Sequence, residues 1–330
     1  MAKAISKKQR LQSLIHAKIN TIYADLPKHQ YVPSSIINMH PKIVLIANCQ
    51  ARPIGSILRN HYNAIVDEPI IVHLAKDDDA AECLSILNSA DYIISQFISK
   101  TYPCNFVRSE SIKEKFGEKV ILIPNLYYRG YNPDLRGIRL KGKGVLSGPL
   151  GDYHSQIFID AWLRNDSPSE ALQHYNSMTY WKDHYGDVAS KSLEELKRRE
   201  SDLDIKITNF IRRHQADKHL FYTYNHPSKV LLLRLVKRIA KRLGLEPNDT
   251  IADNNREPLG RLRAPIHPFT QHQLGLTFKG PDQYQGNDPD QPMSHFEYYS
   301  PEKMIEAFFK LYNQHAEDIG QYALNINRIV

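Results

Sequence analysis

Much of what this chain lacks is informative. Three cysteines among 330 residues, an odd number without framework spacing, encode no disulfide scaffold. They make a reducing, cytoplasmic compartment the expected address. The longest apolar stretches, such as Ile43–Ala47 and Val120–Ile123, are far too short to span a bilayer. The basic N-terminus has no continuous apolar segment of the signal-peptide kind. Leu11, Leu14, Ile15 and Ile19 instead fall at helical spacing, which predicts a helical extension over residues 1–40. There is no internal repeat and no low-complexity tract. Lys and Arg give a net charge of +7 but form no dense arm, so phosphate groups or a membrane surface are expected company and nucleic acid is not. His267 and His272 form one His-x4-His pair with no cysteine nearby, and no metal centre is expected.

What is present is ordinary globular composition, 42% hydrophobic and 24% charged, with an ordered alternation in the first half. Lys42–Ala47 (KIVLIA) reads as a fully buried strand, and Ala51–Asn60 as a helix with Pro53 in its first turn. Ile70–His73 is a second strand, Asp77–Ser89 a helix opened by acids, Asp91–Ser95 a third strand and Lys119–Ile123 a fourth. This alternation predicts an α/β fold with a doubly wound parallel sheet over residues 41–150. Residues 151–330 read as a mainly helical C-terminal lobe covering the strand ends, with helices at Tyr153–Leu163, Ser192–His214, Ser228–Leu243 and Pro301–Tyr312. The stretches Glu246–Pro268 and Gly280–Pro292 are polar and Pro-rich, as loops that carry binding residues often are.

Ligands of such sheets sit at the carboxyl ends of the strands. That rule selects Asn48-Cys49-Gln50, the residues from Gln96 onward, and the loop Asn125–Asp134. A thiol at Cys49 meets the dipole and free N–H groups of a helix N-terminus, which lower a cysteine pKa and favour the thiolate. Cys49 equally fits a small hydrophobe near a strand end. A thiolate nucleophile needs a base. Among 15 histidines, His226 (in FYTYNHPSK) and His154 (in GPLGDYHSQ, beside Asp152) stand at the starts of helices; either also suits a structural role. The loop Asn125–Asp134, with Tyr131 and Asn132, is dense in hydrogen-bonding side chains, and suits a sugar, a phosphate or a plain surface turn. The basic run Arg136–Lys143 carries no Walker pattern. Arg52, in the first helix turn, is better placed for an anion. Residues 229–243 combine an apolar face with a basic one; such a helix either lies on a membrane surface, making the chain a peripheral adaptor at the inner face of the plasma membrane, or packs into a core with its basic face in solvent.

These residues carry a resemblance. The strand leading into Asn48-Cys49-Gln50-Ala51, the segment Gly130-Tyr131-Asn132-Pro133-Asp134, the stretch Gly148–Ser155 (GPLGDYHS) and Asn225-His226-Pro227 together resemble the WcbI-like capsular polysaccharide biosynthesis proteins. The glycine usual before Asn-Cys-Gln in that family is Ala47 here. The resemblance implies a coenzyme A-dependent acetyltransferase that uses acetyl-coenzyme A and acts on a sugar of a bacterial surface polysaccharide. It implies Cys49 as nucleophile with His226 or His154 as base. Oxyanion or substrate contacts then fall to Asn48, Gln50, Gln96, Asn125, Tyr131 and Asn132. Arg52, Arg129, Arg261 and Arg263 are the implied holders of the coenzyme's phosphates. A more distant likeness to the SGNH hydrolase or flavodoxin-like arrangement puts Cys49 where a serine nucleophile stands, which keeps an esterase reading open.

Overall fold

Alternate residues of the first strand meet two different layers, and this sets the architecture. A computed structural model describes residues 40–248, 256–288 and 295–326. The helix expected over residues 1–40 lies, His40 aside, outside these. In β1 (Lys42–Ala47), residues 43–47 are wholly buried. Successive side chains of a strand point to opposite faces. Ile43, Leu45 and Ala47 accordingly pack into one hydrophobic cluster, and Val44 and Ile46 into another. Burial of both faces explains the unbroken apolar run in the sequence.

The first face is covered by α1 (Ala51–Tyr62), which follows β1 directly. The second is covered by α2 (Ala80–Asn88) and α3 (Ser109–Phe116) through Leu87 and Ile112. The strands β2 (Ile65–Val66) and β3 (Ile70–Ile71) pair with the two ends of β1, an edge interrupted at Pro69. On the other side of β1 lie β4 (Tyr92–Gln96) and then β5 (Val120–Ile123). All five strands are parallel. The chain therefore leaves β1 first toward one edge and later toward the other, and β1 and β4 flank the switch point where such sheets hold ligands. Ile46 aligns with Ser95, and Gln96 with Ile123, so the loops after β1, β4 and β5 end on one rim.

The second half is not a separate cover. The described residues from Pro41 on cluster as one compact unit. Its helices α4 (Gln156–Leu163), α5 (Pro168–Asn176) and α6 (Met178–Tyr185) build a further core around Phe158, Trp181, Phe308 and Tyr312. By contrast α7 (Val188–Arg199), α8 (Thr208–His214) and α9 (Lys229–Leu243) pack onto the first face of the sheet. The single helix expected over Ser192–His214 is thus two. Buried Glu200 ends the first, and its carboxylate accepts from the N–H groups of Ile207 and Thr208 and from the Thr208 hydroxyl, capping the second.

In α9, Leu231, Leu232, Leu235, Val236, Ile239 and Ala240 are buried against the sheet side of the molecule. Only its basic face is left outward, which removes the apolar face a membrane-surface helix needs. No helix among the described residues is long and apolar enough to cross a membrane. The late, Pro-rich region also holds structure that its composition hides. A strand Tyr284–Asn287 pairs antiparallel with Phe296–Tyr299, and Gln285 bridges back to Arg263. The last helices run over Pro301–Gln314 and Ala316–Ile326.

Candidate active site

The loop after β1 is held by a closed set of amide bonds. The Asn48 N–H donates to Gln96 Oε1 at 3.0 Å, and Asn48 Nδ2 donates to Asn125 Oδ1 at 3.0 Å. Asn48 Oδ1 accepts the Gln50 N–H at 3.0 Å. The wholly buried Gln50 has its entire amide engaged. Its oxygen accepts from Gln96 Nε2 (2.8 Å) and the Leu126 N–H (3.2 Å), while its nitrogen donates to the carbonyls of Leu126 and Asn225, both at 2.9 Å. Buried amides pair fully because each orphan group is costly. The result joins the ends of β1, β4 and β5 to a turn far along the chain.

Asn48, Gln50 and Gln96 therefore brace this loop; the Gln50 amide is fully engaged, while the amide nitrogens of Asn48 and Gln96 each make one hydrogen bond. Two donor groups have no partner among the described residues: the main-chain N–H of Arg52 and Asn125 Nδ2. Arg52 belongs to the opening turn of α1, whose N–H groups have no helical acceptor, and Cys49 immediately precedes the N-cap, Gln50. Pro53 follows in that turn and has no N–H to satisfy.

The thiol of Cys49 is half-buried beside these donors. Burial raises its pKa above the ordinary thiol value, a contact from its own N–H opposes this, and the nearby Asp152 carboxylate raises it further. This corrects the expectation of a lowered pKa: desolvation outweighs the helix terminus here. Its hydrogen bond is to Asn48 Oδ1 at 4.0 Å, and no histidine among the described residues hydrogen-bonds it.

His154 is committed elsewhere. It is fully buried, with Nδ1 3.1 Å from the Tyr312 hydroxyl and Nε2 2.9 Å from Leu146 O, between the rings of Phe308 and Tyr312. Burial lowers its pKa to about 4. Both nitrogens are taken, so it has none to offer Cys49. His226 differs. It lies in the short hairpin of β6 (Phe221–Thr223) and β7 (His226–Pro227), and its buried Nδ1 has no partner among the described residues. Burial lowers its pKa to about 4, so the ring is a neutral acceptor at neutral pH. Its ring stands edge-on to Tyr153, centroids 5.3 Å apart.

Tyr153, Tyr224, Asn225 and Asp152 are the residues that the sequence reading did not select. The Tyr153 hydroxyl donates to Asn225 Oδ1 at 2.5 Å, and its ring packs on Tyr224 with centroids 5.0 Å apart. These residues, with Asp152, line a cleft of about 280 Å³. Their signal lay in motifs already singled out, GPLGDYHS and TYNHP, one or two positions before the histidines.

The remaining candidates fall into two groups. Tyr131 is buried with its hydroxyl 2.7 Å from Gln215 O and 2.9 Å from Lys218 O, and Asn132 donates to Pro265 O at 2.9 Å, so both serve the fold. Among the arginines, Arg129 borders a cavity of about 260 Å³ with Tyr127, Lys191, Ser192, Glu195 and Arg199. It donates to Pro133 O, and its buried Nε has no partner among the described residues. Arg52 is exposed and pairs with Glu68 at 3.5 Å. Arg261 bonds Asn287 and lies over Phe296, and Arg263 bonds Gly260 O and lies over Tyr222. No group of three or more metal-ligating side chains occurs among the described residues.

A doubly wound parallel sheet with a braced polar loop at its switch point defines an α/β protein with a ligand site on the strand-end rim. The chain belongs to the family described as polysaccharide biosynthesis enzyme WcbI, whose model matches residues 42–248. A solved structure of WcbI, called a novel polysaccharide biosynthesis enzyme, shares the fold with a TM-score of 0.68 and 19% identity, over 87% of this chain and 96% of that one. It is the native form of that protein without a disulfide bond between CoA and one of its cysteines. No curated protein matches the chain.

Proposed function

We propose that this polysaccharide biosynthesis enzyme is a coenzyme A-dependent O-acetyltransferase that moves an acetyl group from acetyl-coenzyme A to a sugar hydroxyl of a bacterial surface polysaccharide. One observation carries the reading. Cys49 sits at the sheet's switch point just before α1, where the Arg52 N–H has no partner among the described residues, with the Asn125 amide across the rim. Such donors, fixed before reaction, stabilise the oxyanion that forms when a thioester carbonyl is attacked. The similar WcbI structure is described with reference to CoA and a cysteine of that protein, with no disulfide between them, which supports a coenzyme in this family. The cationic lining from Arg129, Lys191 and Arg199 suits its phosphates.

The raised pKa of Cys49 favours direct transfer over an acyl-enzyme. The sugar hydroxyl attacks the thioester carbon as its proton passes to neutral His226, and the departing coenzyme thiolate takes that proton back. Cys49 then contributes a protonated thiol that shapes the pocket. Incubation with acetyl-coenzyme A, with and without candidate sugars, tests this by release of free coenzyme A. Release that requires sugar supports transfer. Release that is equal without sugar supports an esterase, and no release in any mixture contradicts the reading.

A further inference from the structure

The cleft and the Arg129 cavity share a wall. Tyr224 packs on Tyr153 of the cleft and on Tyr127 of the other cavity, with ring centroids 5.0 and 5.1 Å apart. Gln50 bonds both sides of this wall, through the carbonyls of Leu126 and Asn225. Cys49, next to Gln50 in the chain, lies near Asp152 and Tyr153 of the cleft.

The chambers differ in chemistry. Lys191, Arg199 and Arg129 outnumber Glu195 in one. In the cleft, one carboxylate (Asp152) and one guanidinium (Arg139) balance. Neither side chain has an ion pair or hydrogen bond among the described residues. Asn225 has its oxygen occupied by Tyr153, while its Nδ2 has no partner there. A carboxylate, an amide donor and two tyrosine rings, without net charge, recognise a ring that carries hydroxyls around its edge and C–H groups on its face. The volume is at the small end of ligand pockets, room for one such ring.

We infer that the cleft bounded by Gly137, Arg139, Asp152, Tyr153, Tyr224 and Asn225 is the acceptor subsite and holds a single neutral monosaccharide unit, with Tyr224 as the partition from the coenzyme. The acceptor role rests on the acetyltransferase reading, whereas the binding chemistry rests on the cleft alone. Gly137 offers a clean way to close it. A Cβ there meets nothing nearer than 3.6 Å, its neighbours being Asp152 O and the Tyr224 hydroxyl, and its backbone is not left-handed. Gly137→Leu therefore fills the cleft without straining the fold.

The test is saturation-transfer NMR on the full chain with the methyl glycosides of glucose, galactose, mannose and N-acetylglucosamine, with and without saturating coenzyme A. Expected is transfer to the ring C–H protons of at least one glycoside, unaffected by coenzyme A. Gly137→Leu should weaken it about tenfold or more and Asp152→Asn several-fold, consistent with loss of packing space and of one charged hydrogen bond. Absence of transfer to every glycoside, displacement by coenzyme A, or an unchanged signal in Gly137→Leu overturns the assignment. A protein that binds glycosides but not coenzyme A sinks the acetyltransferase reading and leaves the cleft standing; the reverse result sinks the cleft alone.

Discussion

The side chain of Gln50 donates to the carbonyl of Asn225, 175 positions along the chain, at 2.9 Å. Through this bond the loop carrying Cys49 is fixed against the turn that presents Tyr224 and His226. The thiol, the free Arg52 N–H and the cleft wall therefore keep one mutual geometry. Gln50→Leu preserves size but leaves the Leu126 N–H and the carbonyls of Leu126 and Asn225 unpaired in the interior. Urea unfolding should show a loss of about 2–4 kcal/mol, the usual cost of several orphaned buried groups. A loss below about 0.5 kcal/mol, the scale of a neutral surface change, contradicts the bracing role.

Asp152 and burial both hold the Cys49 thiol protonated. Iodoacetamide should modify Cys49 slowly at neutral pH, with a rate still climbing past pH 9, followed by peptide mass spectrometry. Removing the negative charge lowers the thiol pKa, so Asp152→Asn should accelerate modification at pH 8. Equal rates in the two proteins show that the carboxylate does not act on the thiol.

His154, His226 and His267 all have pKa values lowered by burial to about 4. A folded pKa below the ordinary value of 6.5 means that the unfolded chain binds protons first as pH falls. Stability is full above pH 6.5 and is lost toward pH 4. Urea midpoints measured across this window should fall steadily, and His154→Gln should flatten the slope. A pH-independent midpoint contradicts neutral burial of these rings.

Lys191 and Arg199 line the Arg129 cavity and also pair with Asp187 and Glu195 on an exposed helix face. Exposed pairs contribute little to stability. Lys191→Glu should therefore leave the melting temperature nearly unchanged while weakening coenzyme A binding several-fold, with a smaller dependence on salt. Unaltered affinity places the phosphates elsewhere.

The sequence carried the parallel sheet because its strands are buried on both faces, which leaves unbroken runs such as KIVLIA and KVILI. It also marked the rim, since strand ends locate ligands whatever their chemistry. Partnerships were hidden, because they depend on contacts across the whole chain. Nothing in GPLGDYHS tells that His154 faces Leu146 and Tyr312 while Tyr153 faces Asn225. The strand Tyr284–Asn287 (YQGN) has no alternating pattern and forms through pairing with Phe296–Tyr299. The pKa of Cys49 was likewise beyond local reading, as a helix start is visible in sequence and the burial and carboxylate that oppose it are not.

Calorimetric titration of the purified protein with acetyl-coenzyme A, at low and at moderate salt, tests the central claim most directly. The account predicts saturable binding that weakens as salt rises, because basic side chains meet phosphates at an open cavity. Absence of binding at either salt concentration contradicts it.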